Sequence, residues 1–416
     1  MERIVYLDHS ATTYVKDKKK KKMLPYYTLK FGNPSSIYSI GRVSKTAIDS
    51  ARCKVATAIG ARSDEIYFTS GGSEADNMII AQIARKYKYK GNHIITTKIE
   101  HMAVLNTCKM LEKEGFEITY LDVDKDGFIK FEELENKIKS TTILISVIFA
   151  NNEIGTIQDI KKIASFARAH NIFFHTDAVQ AIGNIHIDVQ ELNIDLLSLS
   201  AHKFYGPKGV GAAYVKRGIE FEPYINGGHQ ERGKRAGTEN VAGIVGLGEA
   251  IEIANRNITS YNKKLLKLRN LFIYRLRNNI DNIIINGSLE KRLSGNVNVS
   301  IPGIDSQTML TMLDMYGICA SSGSACNSSS LTPSHVLTAI GLPKDWANSS
   351  IRFTIGEENK IADVEYVINV ITKIINKLEK LETEVTNNLE NYDLGVALDK
   401  IYNFIWNEFC DWYIEM

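Results

Sequence analysis

The stretch that decides the fold is Ser200-Ala201-His202-Lys203-Phe204-Tyr205-Gly206-Pro207-Lys208-Gly209, which follows a strand-like run over 194–199. A lysine at the end of a strand, flanked by serine, histidine and glycines, is typical of a lysine that forms a Schiff base with an aldehyde. Such a lysine must lose its proton before it attacks, so its site has to lower its pKa. The alternative is a surface lysine in a Gly-Pro turn. The choice depends on whether the other residues that such a cofactor needs are present.

Short apolar runs alternate with helical patterns from about residue 64 to residue 215. Strands are predicted at 94–95, 116–121, 143–149, 172–174, 196–199 and 210–215, with helices such as 102–114 and 157–169 between them. This alternation predicts an α/β fold whose large domain has a mostly parallel sheet covered on both faces. Ligands of such sheets bind beyond the carboxyl ends of the strands. From 258 to 382 the pattern changes to a smaller α+β unit, with a long helix at 258–279, strands near 283–286 and 296–301, and helices at 306–315 and 361–380.

Composition excludes several classes of protein. The chain has 416 residues, 44% of them hydrophobic, and a formal net charge of +2, so it can bury a large core and carries no strong bias toward anionic partners. Its five cysteines are irregularly spaced without a CxxC pair, which argues against a disulfide framework or a zinc site. Neither a signal peptide nor a membrane-spanning stretch is predicted, and the expected location is cytoplasmic.

Polar residues follow several of the predicted strands. The turn Thr69 to Asn77 opens a helix after a strand, where free N–H groups attract phosphate, although Ser73 could equally be an ordinary helix cap. Ser200 and His202 would add phosphate donors. Asp177 closes another strand and could pair with a pyridinium nitrogen, keeping the ring protonated, or could simply cap a turn.

Two further candidates lie in the C-terminal part. Cys326 lies in the small, polar stretch 320–330, where a free thiol could act as a nucleophile or be incidental to a linker. Arg352 lies in a strand-like run and could bind a substrate carboxylate bidentately or form a structural salt bridge.

These motifs resemble those of the NifS/IscS-type (group I) cysteine desulfurases, which are pyridoxal-phosphate enzymes of aminotransferase class V with the aspartate-aminotransferase fold (fold type I). The resemblance covers roughly residues 1–382. It is carried, in order, by the stretches 6–13, 31–36, 70–77, 100–101, 151–155, 175–180, 200–209, 227–240, 321–326 and 349–352.

The resemblance implies a role for each matching residue. Lys203 would bind pyridoxal 5'-phosphate covalently, Asp177 would face the pyridine nitrogen, and Gln180 the ring hydroxyl. His101 would stack on the ring and assist proton transfer. The phosphate would be bound by Gly72, Ser73, Ser200 and His202, and by Thr238 from the other subunit of a homodimer. Asn152 and Arg352 would bind the substrate carboxylate, and Cys326 would accept sulfur from L-cysteine as a persulfide, with alanine as the other product.

The resemblance also implies a domain division and partners. The large domain would span 15–257, the small domain 1–14 and 258–382, and an atypical helical tail 383–416. Sulfur would pass to an iron–sulfur scaffold protein or another acceptor, such as one for tRNA thiolation. No resident metal is expected, although Cys326 could transiently ligate an iron–sulfur cluster. Neither a membrane nor a directly bound nucleic acid is expected as a partner. Selenocysteine lyase and small-amino-acid aminotransferase activities stay open as alternatives, although an aminotransferase would need no thiol at residue 326.

Three segments suggest a different class, a calcium- or RNA-binding module. Residues 122–133 match the EF-hand loop, but a strand precedes them where an EF-hand needs a helix, so a strand–turn–helix surface loop is predicted. Residues 16–22 hold six lysines and one aspartate and are interpreted as a solvated helix face rather than a nucleic-acid patch. The tail has apolar residues at helical spacing, at Leu394, Leu398, Ile401 and Ile405. This part resembles the anticodon-binding helical region of valyl-tRNA synthetase. The alternative is a helix that packs on the small domain or on a dimer partner.

Overall fold

The computed structural model describes residues 3–322 and 333–406, so Cys326 and residues 407–416 lie outside the described ranges. The strands are β1 (Val5–Tyr6), β2 (Ile66–Thr69), β3 (His93–Thr97), β4 (Glu117–Leu121), β5 (Thr142–Ser146), β6 (Phe173–Asp177), β7 (Leu196–Ser200), β8 (Gly211–Val215), β9 (Ile284–Ile285), β10 (Asn296–Ser300), β11 (Ile318–Cys319) and β12 (Ser350–Thr354). The helices are α1 (Asp17–Met23), α2 (Pro25–Thr28), α3 (Ser39–Ala58), α4 (Gly72–Lys86), α5 (Met102–Lys113), α6 (Phe131–Lys137), α7 (Ile160–Ala169), α8 (Val241–Asn279), α9 (Ser306–Met315), α10 (His335–Ala339), α11 (Lys344–Asn348), α12 (Ile361–Glu390) and α13 (Leu394–Phe404).

A seven-stranded sheet forms the larger layer, in the order β2-β8-β7-β6-β5-β3-β4. The strands from β7 across to β4 pair in parallel, and β8 pairs antiparallel with both of its neighbours. Two hydrophobic clusters pack against the sheet, and strands such as β5 and β7 are buried along their whole length. A strand that is buried on both faces reads as a continuous apolar run, which is why the sequence predicted these strands well. The predicted α/β fold with a mostly parallel sheet is confirmed.

A smaller layer follows toward the C-terminus. Strands β9, β10 and β12 form an antiparallel sheet, and β1 from the N-terminus pairs in parallel with β11. A separate hydrophobic cluster unites Leu7 with Phe272, Phe353 and Ile371 from these elements and the helices that cover them. The first strand of the chain is therefore part of a core built mainly from its C-terminal half.

Helix α8 begins earlier than the sequence predicted. It is continuous from Val241 to Asn279, whereas the long helix was predicted only from residue 258. Glycines in its first turns weaken the helical pattern, but they allow close packing: a Cβ on Gly246 would lie 2.6 Å from the Met23 sulfur, and one on Gly248 would lie 2.8 Å from Ala51 Cβ. The start of this helix therefore depends on how it packs against neighbouring helices, which the local sequence pattern does not show.

The domain division stays a proposal. Its boundary at 257/258 falls inside α8, and its boundary at 382/383 falls inside α12. Both helices are continuous across these points. We therefore propose the two units and the tail as regions that share helices rather than as regions joined by linkers.

The EF-hand-like segment is a strand–turn–helix loop, as predicted. Strand β4 leads into it and α6 follows it. Asp124 Oδ1 accepts from the main-chain N–H groups of Asp126 and Phe128, both at 2.9 Å, and Asp122 pairs with Lys98 at 2.5 Å. These carboxylates stabilise the turn and a surface ion pair.

The lysine-rich helix α1 is only partly a solvated face. Lys18, Lys20, Lys21 and Lys22 are exposed, but Lys19 is 1% exposed, so the prediction is wrong for this residue. Lys19 shares the inward face of the helix with Met23, one turn further along, and that face packs against the protein.

In the tail, α13 packs back on α12. Ala397 is buried, Phe404 reaches the C-terminal hydrophobic cluster, and Lys400 pairs with Glu384 of α12 at 2.5 Å. The helical spacing was therefore correct. However, Leu394 and Leu398 are largely exposed, because the face of α13 that packs on the protein is the one that carries Ala397 and Phe404. Across residues 3–322 and 333–406, no helix is both long and apolar enough for a membrane span.

Candidate active site

A cavity of about 350 Å³ lies at the carboxyl edge of the large sheet, a volume within the range of small-molecule sites. The sequence-predicted residues that line it are Gly72, Ser73, His101, Asn152, Asp177, Gln180, Ser200, His202, Lys203 and Arg352. Residues far apart in the sequence converge here because the carboxyl ends of parallel strands share one edge of the sheet.

Lys203 lies in a short 3-10 turn directly after β7. Its Nζ donates to the main-chain carbonyls of Ser10 at 2.5 Å and Ala11 at 2.8 Å. These two residues follow β1, so the N-terminal segment holds the lysine amine at the cavity wall. Two residues later, Tyr205 has φ 63°, a left-handed conformation that is uncommon for a residue with a side chain. The turn that carries Lys203 is therefore tightly constrained.

The turn into α4 provides a close approach to the cavity. Gly71 is the N-cap residue and Gly72 begins the helix, so Ser73 lies in the first turn and the suggested capping role of Ser73 is wrong. A Cβ on Gly72 would lie 2.6 Å from Val179 Cγ2, so only glycine fits here without movement. The first N–H groups of a helix lack internal partners and attract anions. The helix start and the adjacent Ser200 therefore form a cradle suited to phosphate.

His202 borders the same cradle. Its Nδ1 lies 3.1 Å from Thr12 Oγ1. Burial, followed by the nearby Lys203 and Lys208, lowers the pKa of His202 to about 4. The ring is therefore neutral at pH 7 and can offer a hydrogen bond without adding positive charge.

Asp177 ends β6 at the base of the cavity and is buried. One of its oxygens accepts from the Val179 main-chain N–H at 2.8 Å, and the Gln180 side chain, next along the cavity wall, donates to the Ser10 carbonyl at 3.0 Å. Burial raises the pKa of Asp177, and the charges of His101 and Lys203 oppose that rise. The turn-capping alternative is thus also realised, but it uses only one of the two carboxylate oxygens.

His101 is the N-cap of α5. Its Nδ1 accepts from the Ala103 main-chain N–H at 3.1 Å, so the proton of a neutral ring lies on Nε2. Ligand atoms of His101, Asp177 and Asp76 lie within 4.8 Å of one another. The ring therefore lies close to the two carboxylates at the base of the cavity.

Sequence analysis assigned no role to two buried carboxylates at this site, Asp76 and Glu100. Asp76 Oδ1 and Glu100 Oε2 have no hydrogen-bond partner within the described ranges. Burial raises the pKa of Asp76 well above its usual value, with the charge of Asp177 adding to the effect, and burial raises that of Glu100 to about 8. The available signal was helical spacing, which puts Asp76 on the same inward face of α4 as Gly72 and Ile80.

Arg352 of β12 is 2% exposed, and the structural salt bridge that the sequence offered as an alternative is present. Arg352 forms an ion pair with Asp8 at 2.7 Å and donates to the Asn152 carbonyl at 3.1 Å. Its Nε has no hydrogen-bond partner in the described part of the chain. A guanidinium held on two sides at a cavity wall is preorganised to bind a carboxylate.

Cys326 lies outside the described residues, but the chain on either side of the gap is attached to the cavity rim. Ser321 exchanges two main-chain hydrogen bonds with Arg352, at 3.2 and 2.6 Å. After the gap, Ser334 Oγ donates to Glu153 at 2.5 Å and His335 Nε2 contacts the Glu100 carbonyl at 3.0 Å. Ser334 and His335 were not predicted as site residues, because they carry no local signal of this proximity.

Thr238 is the one described candidate that does not line the cavity. It is exposed, in the segment between the turn at 230–233 and α8. This position is consistent with the implied contact across a dimer, which a single chain does not test.

Pyridoxal phosphate fits the residues present. The turn at Gly72 packs so closely on Val179 that a Cβ has no room, which brings the start of α4 to the cavity, and Asp177 provides a buried carboxylate. Lys203 presents an amine to the same cavity. The cavity therefore brings together a helix start suited to an anion, a buried carboxylate and a lysine, which are the groups that would hold this cofactor.

The family model described as Aminotransferase class-V matches residues 5–367. The Cysteine desulfurase IscS of Clostridium botulinum is 54% identical over 383 residues, which are 92% of this chain and 96% of that protein. The Cysteine desulfurase IscS of Methanosarcina thermophila is 54% identical over 379 residues, 91% of this chain and 94% of that protein. A solved structure of a NifS-like protein is 38% identical and has a TM-score of 0.85. The match covers 90% of this chain and 100% of that chain. The chain belongs to the class-V aminotransferase family and, within it, to the group that contains the IscS-type cysteine desulfurases.

A second family model, the anticodon-binding domain of tRNA ligase, matches residues 372–416. This agrees with the resemblance noted for the tail. The segment carries nine acidic residues and four lysines, a charge balance opposite to that of a phosphate-binding surface.

Proposed function

We propose that this protein is a pyridoxal-phosphate-dependent cysteine desulfurase, a sulfurtransferase that converts L-cysteine to L-alanine and retains the sulfur as a persulfide on Cys326. The observation that carries the proposal is the convergence of Lys203, Asp177 and Arg352 on one cavity. Pyridoxal phosphate, when bound, supplies an electron sink for the carbanion formed at the substrate α-carbon. Lys203, Asp177, Gln180, His101 and the phosphate cradle would hold it.

The protein's own residues bind and orient the substrate. Arg352, fixed by Asp8 and the Asn152 carbonyl, binds the substrate carboxylate. This contact holds the α-carbon in the cavity, where the Lys203 amine removes the α-proton. Asp177 would face the ring nitrogen of the cofactor, and its burial would strengthen that interaction. His101, with its N–H on Nε2, is placed to assist proton transfer.

The sulfur step needs a thiol that reaches the cavity. Cys326 is five residues beyond Ser321, which is bonded to Arg352, and five residues extend at most about 18 Å. The Cys326 thiolate attacks the substrate sulfur, and the bond between that sulfur and the β-carbon breaks. The β-carbon takes up a proton, and the α-carbon regains the proton that Lys203 removed. Alanine leaves, and Cys326 carries one additional sulfur. This use of a thiol favours desulfuration over transamination; a selenocysteine lyase stays the alternative.

We further propose a homodimer in which Thr238 contacts the partner's phosphate site. Large apolar side chains in the segment after α1 are exposed in the single chain, including Leu29, Phe31 and Ile37, the last at 90% exposure. Such a patch is expected to be covered by another protein surface. The persulfide would pass to an iron–sulfur scaffold protein or a tRNA-thiolation acceptor, with Cys326 a transient cluster ligand. A cytoplasmic location stays a prediction.

The test measures alanine and sulfide released from L-cysteine by the cofactor-loaded protein with a reductant. Equal amounts of both products are expected from the parent, and loss of both from Cys326→Ser with the cofactor still bound. Cys53→Ser removes an exposed thiol on α3 and is the matched control, with activity unchanged. Equal release by the Cys326→Ser variant and the parent would refute the persulfide step. The cofactor site is tested separately by the Lys203→Ala variant, which is expected to lose the cofactor.

A further inference from the structure

A second cavity, of about 310 Å³, lies on the other side of the turn that carries Lys203. It is lined by residues of α1, of that turn, of α8 and of the loop after β12. The charged or titratable side chains that line it besides Lys19 are Lys16, Lys203, Tyr205, Tyr261, Lys264 and Glu357. Among the described lining residues, cationic groups therefore outnumber the single carboxylate.

Lys19 is the unusual member of this set. Its side chain is buried, and its Nζ donates to the Phe204 carbonyl at 3.0 Å, so the amine contacts the residue next to Lys203. The amine also lies 5.5 Å from the centre of the Tyr205 ring. An ammonium group has three donors, and one carbonyl together with a ring face leaves donor capacity for a further acceptor.

The neighbours of Lys19 increase the cost of its charge. Burial first, and Lys16 second, lower the pKa of Lys19 to about 7, and Glu357 opposes this shift. Glu357 is already engaged, because its carboxylate pairs with Lys16 and its main-chain carbonyl accepts from Lys264. Glu357, the one carboxylate among the described residues that line the cavity, is therefore shared, and within that set Lys19 and Lys264 have no carboxylate of their own.

We propose that this cavity binds a small oxyanion, a carboxylate or phosphate group, with Lys19 and Lys264 supplying the charge. Hydroxyl and amide groups of Ser260, Tyr261 and Asn257 line the same cavity and can orient the oxyanion. A bound anion would replace the water that burial removes from Lys19, which is the condition under which a buried charge is tolerated. The occupant would lie next to the Phe204 carbonyl and so beside the Lys203 turn. The proposal does not rest on the proposed desulfurase function.

Titration calorimetry with inorganic phosphate tests the proposal on the full, cofactor-loaded chain, in which the cofactor fills the phosphate cradle of the active site. Saturable binding is expected, weakened about tenfold by Lys19→Met, since a charge-assisted hydrogen bond is lost. Lys20→Met removes an exposed lysine from the same helix and should leave the affinity within about twofold of the parent. Lys264→Met tests the second cation without disturbing a buried amine.

The pH dependence gives a second readout. Lys19 is protonated below about pH 7, whereas acetate stays ionised from pH 6 to pH 8. The affinity for acetate should therefore fall as the pH rises across this range, and its binding near pH 7.5 should take up protons. Titrations in buffers of different ionisation enthalpy measure that uptake. Acetate in place of phosphate separates a carboxylate site from a phosphate site. The absence of saturable heat, or equal affinities for Lys19→Met, Lys264→Met and Lys20→Met, would overturn the proposal.

Discussion

Glu100 provides a sharp test of the electrostatics at the candidate active site. Its side chain is 1% exposed. One carboxyl oxygen accepts hydrogen bonds from Thr97 Oγ1 at 2.7 Å and from the Ile148 main-chain N–H at 2.8 Å. The other oxygen has no hydrogen-bond partner within residues 3–322 and 333–406. Burial is the largest cause that raises the pKa of Glu100 to about 8, and the charge of Asp177 adds to it. The carboxyl group is therefore protonated in the folded protein at pH 7.

The consequence for stability has a definite sign. Between the unfolded pKa of 4.5 and the folded pKa of about 8, the folded state keeps a proton that the unfolded state releases. The free energy of unfolding therefore falls as the pH rises, by about 1.4 kcal/mol per pH unit in the middle of this window. From pH 6 to pH 8, where the folded group begins to ionise, the loss is about 2 kcal/mol.

Glu100→Gln removes this dependence and keeps the shape and the acceptor oxygen. The stability of the variant relative to the parent should rise by about 2 kcal/mol between pH 6 and pH 8. Urea unfolding followed by circular dichroism measures this difference, provided that the slopes with urea are equal. Glu112→Gln, an exposed position on α5, is the control and should show no such trend. A constant difference between Glu100→Gln and the parent across this range would falsify the argument, since Glu100 would then be ionised in the fold.

Two further predictions follow from packing and from a buried ion pair. Gly72→Ala places a Cβ 2.6 Å from Val179 Cγ2, so the affinity for the cofactor should fall about tenfold in equilibrium dialysis. Adding Val179→Ala should restore part of that affinity. Full affinity in the single variant would contradict the role of this turn in holding the cofactor. Glu231→Ala removes the bidentate partner of the buried Arg52 guanidinium, which is bonded at 2.6 and 2.7 Å. In urea titrations this change should lower the free energy of unfolding by about 3–5 kcal/mol, whereas Glu114→Ala at an exposed ion pair should lower it by less than about 1 kcal/mol. Equal losses in the two variants would refute the role of burial.

The fold and most of the cavity lining were predictable because parallel sheets obey simple rules. Buried strands are continuous apolar runs, and a polar residue directly after such a run lies at the edge where ligands bind. Lys203 and Asp177 follow this rule, each at the end of a strand. Their proximity follows from the pairing of β6 with β7, which are consecutive in the chain and neighbours in the sheet.

Other features depend on contacts between distant segments and had no local signal. Asp76 lies within a helix, and its nearness to Asp177 results from how α4 packs on the sheet. Lys19 is one of six lysines in its run, and nothing in the spacing of identical residues distinguishes the buried one. The start of α8 was missed because glycines that permit close packing also weaken the helical pattern.

The pairing of β1 with β11 has a consequence for the order in which the protein can fold during synthesis. Val5 pairs with Ile318, so the first strand leaves the ribosome roughly 300 residues before its partner exists. At about 5–20 residues per second, this delay is on the order of 15–60 seconds. During most of that time the core that buries Leu7 is not yet made, because its residues lie at 265 and beyond apart from those of the N-terminal strand. The segment that holds the Lys203 amine, through Ser10 and Ala11, is anchored only when that core closes. Translation therefore has to be nearly finished before the active site can form, and a nascent chain stalled before residue 318 should expose its N-terminus to chaperones and proteases.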